Sequence, residues 1–198
     1  MAYASLERFR DITGRNVLAL QQAKEAGKKV VGQYCIYSPL EIALAAGAIP
    51  VSLCGTKNDS IPVAETMLPR SLCPLIKSSF GFALQDSCPY LAASDIVVAD
   101  TTCDGKKKMY ELLNEIKETY VLHLPQSQER EYAKDIWYEE IKLFKEKLEQ
   151  KFGVEITEEN LRRAAHTRNQ LRRAHLEMYR LQENTPPAMK GTEMMIAL

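Results

Sequence analysis

Short runs rich in β-branched residues alternate with segments of helical period along residues 29–124, and few folds accept that alternation. Lys29–Cys35, Ile49–Cys54, Ser94–Asp100 and Tyr120–Leu124 read as strands. Helices fill the intervals. One starts with Ser38 as N-cap and Pro39 at the first helical position and stops at Gly47; another covers Leu72–Leu84; a third is capped by Asp104 and aligns Met109, Leu112, Leu113 and Ile116 on one face. This repeat predicts an α/β fold, a small parallel sheet of about four strands covered by helices on both faces.

Longer helices flank the repeat. Residues 3–27 form a polar amphipathic helix with Leu6, Phe9, Ile12, Val17 and Leu20 as its apolar positions and Gly27 as its stop. Glu129–Phe152 carries Tyr132, Ile136, Trp137, Ile141, Phe144 and Leu148 at helical spacing, with Gly153 just past the end. Thr157 caps the next helix, in which Leu161, Ala164, Leu171, Met178 and Leu181 face inward, and Asn184-Thr-Pro-Pro187 ends it. The pair is expected to form a long helical hairpin beside the sheet. The chain then divides into a sheet domain at 1–126, the hairpin at 127–185, and a linker at 186–198 with the first turn of a further domain, whose apolar helix begins at Thr192.

Charge excludes some partners. The 26 basic and 26 acidic residues divide as 13 of each on either side of residue 126, so neither part carries the basic field that nucleic acid or an anionic membrane requires. Apolar runs such as Ile42–Val51 are far shorter than a bilayer span, and the first residues lack an apolar signal core, which predicts a cytoplasmic protein. In that reducing setting the 5 cysteines are not disulfide staples but core filler or metal ligands.

Their positions carry the functional argument, because open parallel sheets bind ligands outside the carboxyl ends of their strands. Cys35 and Cys54 end the first two strands, Cys103 follows the third by way of Thr101-Thr102, and Cys73 and Cys88 bracket the helix after the second. Cys73 and Cys103 stand where helices begin, a place that favours the thiolate form. Gly81 and Gly105 would let backbone N–H groups approach cluster sulfides. Against this, free cysteine is among the most buried residue types, so filler is the commoner role for any one of them, and Cys54 between Leu53 and Gly55 fits that role best. No C-x-x-C pair occurs, which argues against a zinc ribbon or a thioredoxin-type site.

Leu68-Pro-Arg-Ser-Leu-Cys-Pro-Leu-Ile-Lys-Ser-Ser-Phe-Gly81, Asp86-Ser-Cys-Pro-Tyr90 and Ala99-Asp-Thr-Thr-Cys-Asp-Gly-Lys-Lys-Lys-Met-Tyr110 resemble the N-terminal signatures of the 2-hydroxyacyl-CoA dehydratase D-component and benzoyl-CoA reductase family. The likeness is strongest to its single-gene branch, which includes the double-cubane cluster proteins. Tyr34–Pro50 resembles the family's opening unit, and the likeness runs over nearly all of residues 28–190.

The resemblance implies a second α/β domain and a [4Fe–4S] cluster held by two cysteines of the first domain and one of the second, with Cys73 and Cys103 in the first-domain positions. A double-cubane [8Fe–9S] cluster would draw a third thiol from this half, Cys88 before Cys35. The resemblance also implies low-potential one-electron chemistry with an ATP-hydrolysing iron–sulfur activator as partner, an acyl-CoA or small-molecule substrate, and a homo- or heterodimer. Ser78, Ser79 and Gly105 are the expected cofactor neighbours. Lys106-Lys107-Lys108 offers charge for CoA phosphates or an acidic activator, although charge at a helix start is more often solvated. His123 and Trp137 read as core, and His166 and His175 as exposed among arginines. Two alternatives stay open: a metal-free α/β binding or partner module, and a thiol-based redox catalyst with one highly reactive cysteine.

Overall fold

A computed structural model describes residues 4–197. Helix α1 (Ala4–Glu25) leads into strand β1 (Val30–Gln33), helix α2 (Leu40–Ala45) and strand β2 (Ile49–Ser52). Two helices follow, α3 (Ile61–Ala64) and α4 (Pro74–Leu84), then α5 (Pro89–Ala93) and strand β3 (Ile96–Asp100). Helix α6 (Asp104–Ile116) and strand β4 (Thr119–Leu122) complete the alternation. The hairpin is α7 (Ala133–Phe152) and α8 (Glu158–Arg180), and α9 (Gly191–Ala197) comes last.

All neighbouring strands pair in parallel, in the order β2-β1-β3-β4. The chain leaves β1 toward β2 on one side and continues through β3 to β4 on the other, so the order reverses between β1 and β3. The expected α/β class and sheet are therefore present.

Every residue of β3 is buried, as a central strand covered on both faces requires. Ile96 and Val98 join Val31, Ile42, Leu122, Phe144 and Leu148 on one face, beneath α2 and the hairpin. Val97 and Ala99 join Ile76, Phe80, Met109 and Leu113 on the other, beneath α4 and α6. Full burial of each large aliphatic or aromatic side chain contributes about 1.5–3 kcal/mol. Strand β2 ends the sheet on one side. Ile49 N donates to Lys29 O (2.8 Å) and Leu53 N to Gln33 O (2.7 Å), so the intervening Pro50 turns its donor-less nitrogen away from β1.

Several local expectations need correction. Helix α2 is capped by Pro39, one residue later than expected, because Pro39 keeps an extended ψ of 91°. The Ser38 hydroxyl is instead buried and has no hydrogen-bond partner among the described residues. Cys103, not Asp104, occupies the cap of α6, and Asp104 becomes the acidic residue of the first turn. Thr157 does cap α8, its Oγ1 accepting from Asn160 N at 3.2 Å. Spacing points Phe9, Ile12, Ile116, Tyr132, Ile136, Leu171 and Leu181 inward, yet all are exposed. The side chain of Leu6 lies outside the described residues.

Candidate functional site

Helices that return a chain between parallel strands run opposite to them, so α4 and α6 both start at the carboxyl edge of the sheet. There Cys73 caps α4 and Cys103 caps α6, each with extended ψ, each exposed, and neither using its side chain as a cap acceptor. The two helix starts touch. A Cβ on Gly105 would lie 2.8 Å from both Leu72 Cδ1 and Ile76 Cδ1, so the glycine permits a close contact beside both cysteines.

The segment entering α4 is fastened from beneath. Lys77 is buried, and its Nζ donates to Glu65 Oε1 (2.7 Å) and to Arg70 O (2.8 Å), tying the 65–73 loop to the helix it precedes. The hydrogen bond from Lys77 holds the Glu65 carboxyl below its ordinary range. A second loop lies across the middle of α4. Gly55 N donates to Ser79 Oγ (2.9 Å), Ser60 Oγ donates to Ser78 O (3.0 Å), and a Cβ on Gly81 would stand 2.0 Å from Ser60 O.

That loop gives Ser78 and Ser79 a role different from the expected one. Both residues, the expected cofactor neighbours, are buried. Ser78 Oγ donates to Lys57 O (2.5 Å) in the loop, whereas Ser79 Oγ, which accepts from Gly55 N of the loop, donates back to Leu75 O (2.8 Å) within α4.

Cys35 follows β1 at the reversal point, with a left-handed φ of 67° that is uncommon outside glycine. Three polar groups converge on its sulfur: Lys106 Nζ at 2.8 Å, and Thr102 Oγ1 and Tyr110 Oη at 3.4 Å each, the phenol being able to donate or accept. Burial, with the Cys35 contact second, pushes the Tyr110 phenol well above its ordinary value. Burial acts to lower the Lys106 ammonium, but Cys35, and more weakly Cys54 and Cys103, outweigh it and hold the group above its ordinary value. Tyr34 is raised by burial and then by the nearby Cys88 and Cys54.

Cys54 is a correction. In place of the expected core filler, the structure has an exposed thiol within electrostatic reach of Lys106. Its position just beyond an edge strand, followed by a glycine lying against α4, leaves it open to solvent. Cys88 caps α5 and is half-buried against the α4–α6 side of the core. Among the described residues, no group of three or more His, Cys, Asp or Glu side chains is placed to hold a metal ion together. The donor chemistry nevertheless suits iron: free thiols at two adjoining helix starts, on the binding edge of a parallel sheet.

An open crevice of about 1580 Å³ runs from this edge between α6, the end of β4 and the start of α7, lined by Thr102, Lys107, Lys108, Tyr110, His123 and Trp137 among others. His123, expected in the core, is exposed there because β4 ends at Leu122, and its N–H donates to Glu140 Oε2 at 3.0 Å. Sequence reasoning misses Tyr110, Thr102 and Asp100 at the site. Asp100 is fully buried, accepts from Tyr37 N at 3.0 Å through Oδ2, and has no partner for Oδ1 among the described residues. Only their place beside Cys103 and on the apolar face of α6 could have marked them. No described helix is long and apolar enough to cross a membrane.

A doubly wound parallel sheet with cysteines at its carboxyl edge places the chain among the open α/β proteins, whose ligands bind where the strand order reverses. Within that class the chain belongs to the family of the 2-hydroxyglutaryl-CoA dehydratase D-component, which it matches over residues 35–198. It is 44% identical over 192 residues to the candidate dehydratase subunit YjiM of Escherichia coli K12, covering 97% of this chain and 50% of that protein. It is 29% identical over 148 residues to the (R)-phenyllactyl-CoA dehydratase beta subunit of Clostridium sporogenes, covering 73% and 38%. The lactoyl-CoA dehydratase subunit beta of Anaerotignum propionicum is also 29% identical, over 155 residues, covering 78% and 41%. The chain spans half or less of the length of these relatives.

Proposed function

We propose that this chain is the cluster-holding N-terminal part of a 2-hydroxyacyl-CoA dehydratase-like component, with Cys73 and Cys103 as its thiolate ligands to a [4Fe–4S] cluster. The observation that supports this most is the contact of two helix starts through Leu72 and Gly105, each start capped by an exposed cysteine. Helix N-termini favour anionic sulfur, and the backbone N–H groups of the first turns face the same edge.

When bound, the cluster would supply low-potential one-electron chemistry. The residues of this chain position it. Lys77 holds the approach to Cys73 by gripping Glu65 and Arg70 O, and the absence of a side chain at Gly105 brings α6 against α4. The remaining ligand would come from the part of the relatives' length that this chain does not span. Cys88 would complete a larger double-cubane [8Fe–9S] set. An acyl-CoA substrate, a partner subunit and an ATP-hydrolysing iron–sulfur activator belong to the same proposal, drawn from the family's chemistry and the relatives' names.

Anaerobic purification, iron and sulfide analysis, and EPR after reduction test the reading on the protein as it occurs in its cell. Iron and sulfide should be present and should be lost in Cys73→Ser and in Cys103→Ser, with the melting temperature of either variant near that of the parent under metal-free conditions. Iron content unchanged by both substitutions, or a metal-free protein after anaerobic reconstitution, would overturn it in favour of a binding module without a cluster.

A further inference from the structure

We infer that Cys35 and Lys106 form an oxidation site of their own, in which one oxygen atom joins Sγ to Nζ as a covalent N–O–S bridge. The inference goes beyond the cluster reading and does not depend on it. It rests on a juxtaposition that sequence separation hides: Cys35 lies just past β1, Lys106 in the first turn of α6, and their reactive atoms stand 2.8 Å apart.

The surroundings hold both partners in place. Thr102 Oγ1 and Tyr110 Oη fix the sulfur from two further directions, at 3.4 Å each, and Cys35 keeps a left-handed backbone. Lys106 is half-buried, so its ammonium exchanges water for the sulfur. A single oxygen bonded to both atoms fits the existing gap, whereas a direct sulfur–nitrogen bond would require the two elements to close further. The way in is open, because Cys35 is only partly covered and the adjoining Ile36 and Tyr37 are 80% and 53% exposed.

The oxidant is dioxygen; Lys106 first releases one ammonium proton to solvent and reacts as the free amine, and the step then balances as Cys–SH + Lys–NH2 + O2 giving Cys–S–O–NH–Lys + H2O. The oxygen–oxygen bond breaks while one sulfur–oxygen and one nitrogen–oxygen bond form. Sulfur and nitrogen each lose two electrons, and the thiol hydrogen and one amine hydrogen leave on the second oxygen as water. Two dithiol molecules, each oxidised to a cyclic disulfide, supply the four electrons and four protons that return the thiol and the amine and release the bridging oxygen as water.

The test is peptide mass spectrometry on protein purified anaerobically, then aerated and digested without reductant. The peptides carrying Cys35 and Lys106 should appear as one linked species, heavier than their sum by one oxygen less two hydrogens, and should separate after dithiothreitol. Cys35→Ser and Lys106→Arg, the latter keeping the charge, should each abolish the linked species at an unchanged melting temperature. Cys103→Ser should leave it intact, so loss of iron and loss of the bridge are separate outcomes. A Cys35 that carries oxygen without Lys106, that pairs with another cysteine, or that stays unmodified in the aerated protein would overturn the inference.

Discussion

Two glycines in helices show how differently the same substitution can act. Gly14 lies inside α1, and the place a Cβ would take there has nothing within 4 Å, so Gly14→Ala should add about 0.5–1 kcal/mol by helix propensity alone. Gly81 lies inside α4, but a Cβ there would be 2.0 Å from the backbone oxygen of Ser60, which cannot swing aside as a side chain would. Gly81→Ala should therefore cost about 2–3 kcal/mol by forcing the loop off the helix. Chemical denaturation of both variants against the parent measures the two signs together.

At the scale of elements, one carboxylate joins α1 to the sheet. Asp95 accepts from Lys24 Nζ and from Val30 N, each at 2.7 Å, and so ties the last turn of α1 to the first residue of β1. Burial acts to raise the Asp95 carboxyl, but the bonds from Lys24 and Val30 together hold it below its ordinary value. A depressed carboxyl stabilises the fold above its unfolded pKa and loses that contribution as pH falls through the folded one. Asp95→Ala should thus cost about 1–2 kcal/mol at neutral pH and progressively less in acid, read from denaturation midpoints across the acid range.

The elements also show what a one-dimensional pattern can reveal. The strands and the helices between them are legible because β-branched runs and helical spacing are local signals, and the gathering of Cys35, Cys54 and Cys103 at one edge follows from strand ends alone. The burial of Ser78 and Ser79 is not legible, since it depends on a loop from Gly55 to Ser60 folding over α4. Helices α3 and α5, of 4 and 5 residues, are too short to show a period. Leu171 and Leu181 belong to an amphipathic pattern and are exposed all the same, because spacing marks an apolar face and not what covers it.

For the whole molecule, the hairpin is continuous with the sheet. Phe144 and Leu148 of α7 pack in one cluster with Val31, Ile96 and Leu122, and Phe144 stacks with Tyr120 of β4 at 5.5 Å between ring centroids. The two parts should unfold together. Phe144→Ala should cost about 3–5 kcal/mol, and near-UV and far-UV circular dichroism should report the same shifted midpoint for strands and hairpin. Two separated transitions would show that the hairpin is an independent unit. Pro50 bears on the molecule in concentrated solution. A terminal strand is where stray chains can attach by backbone pairing, the first step toward fibres, and a proline nitrogen turned to that flank withholds a donor from the incoming chain. Crowded copies of this fold are thereby discouraged from growing end on end through their sheets.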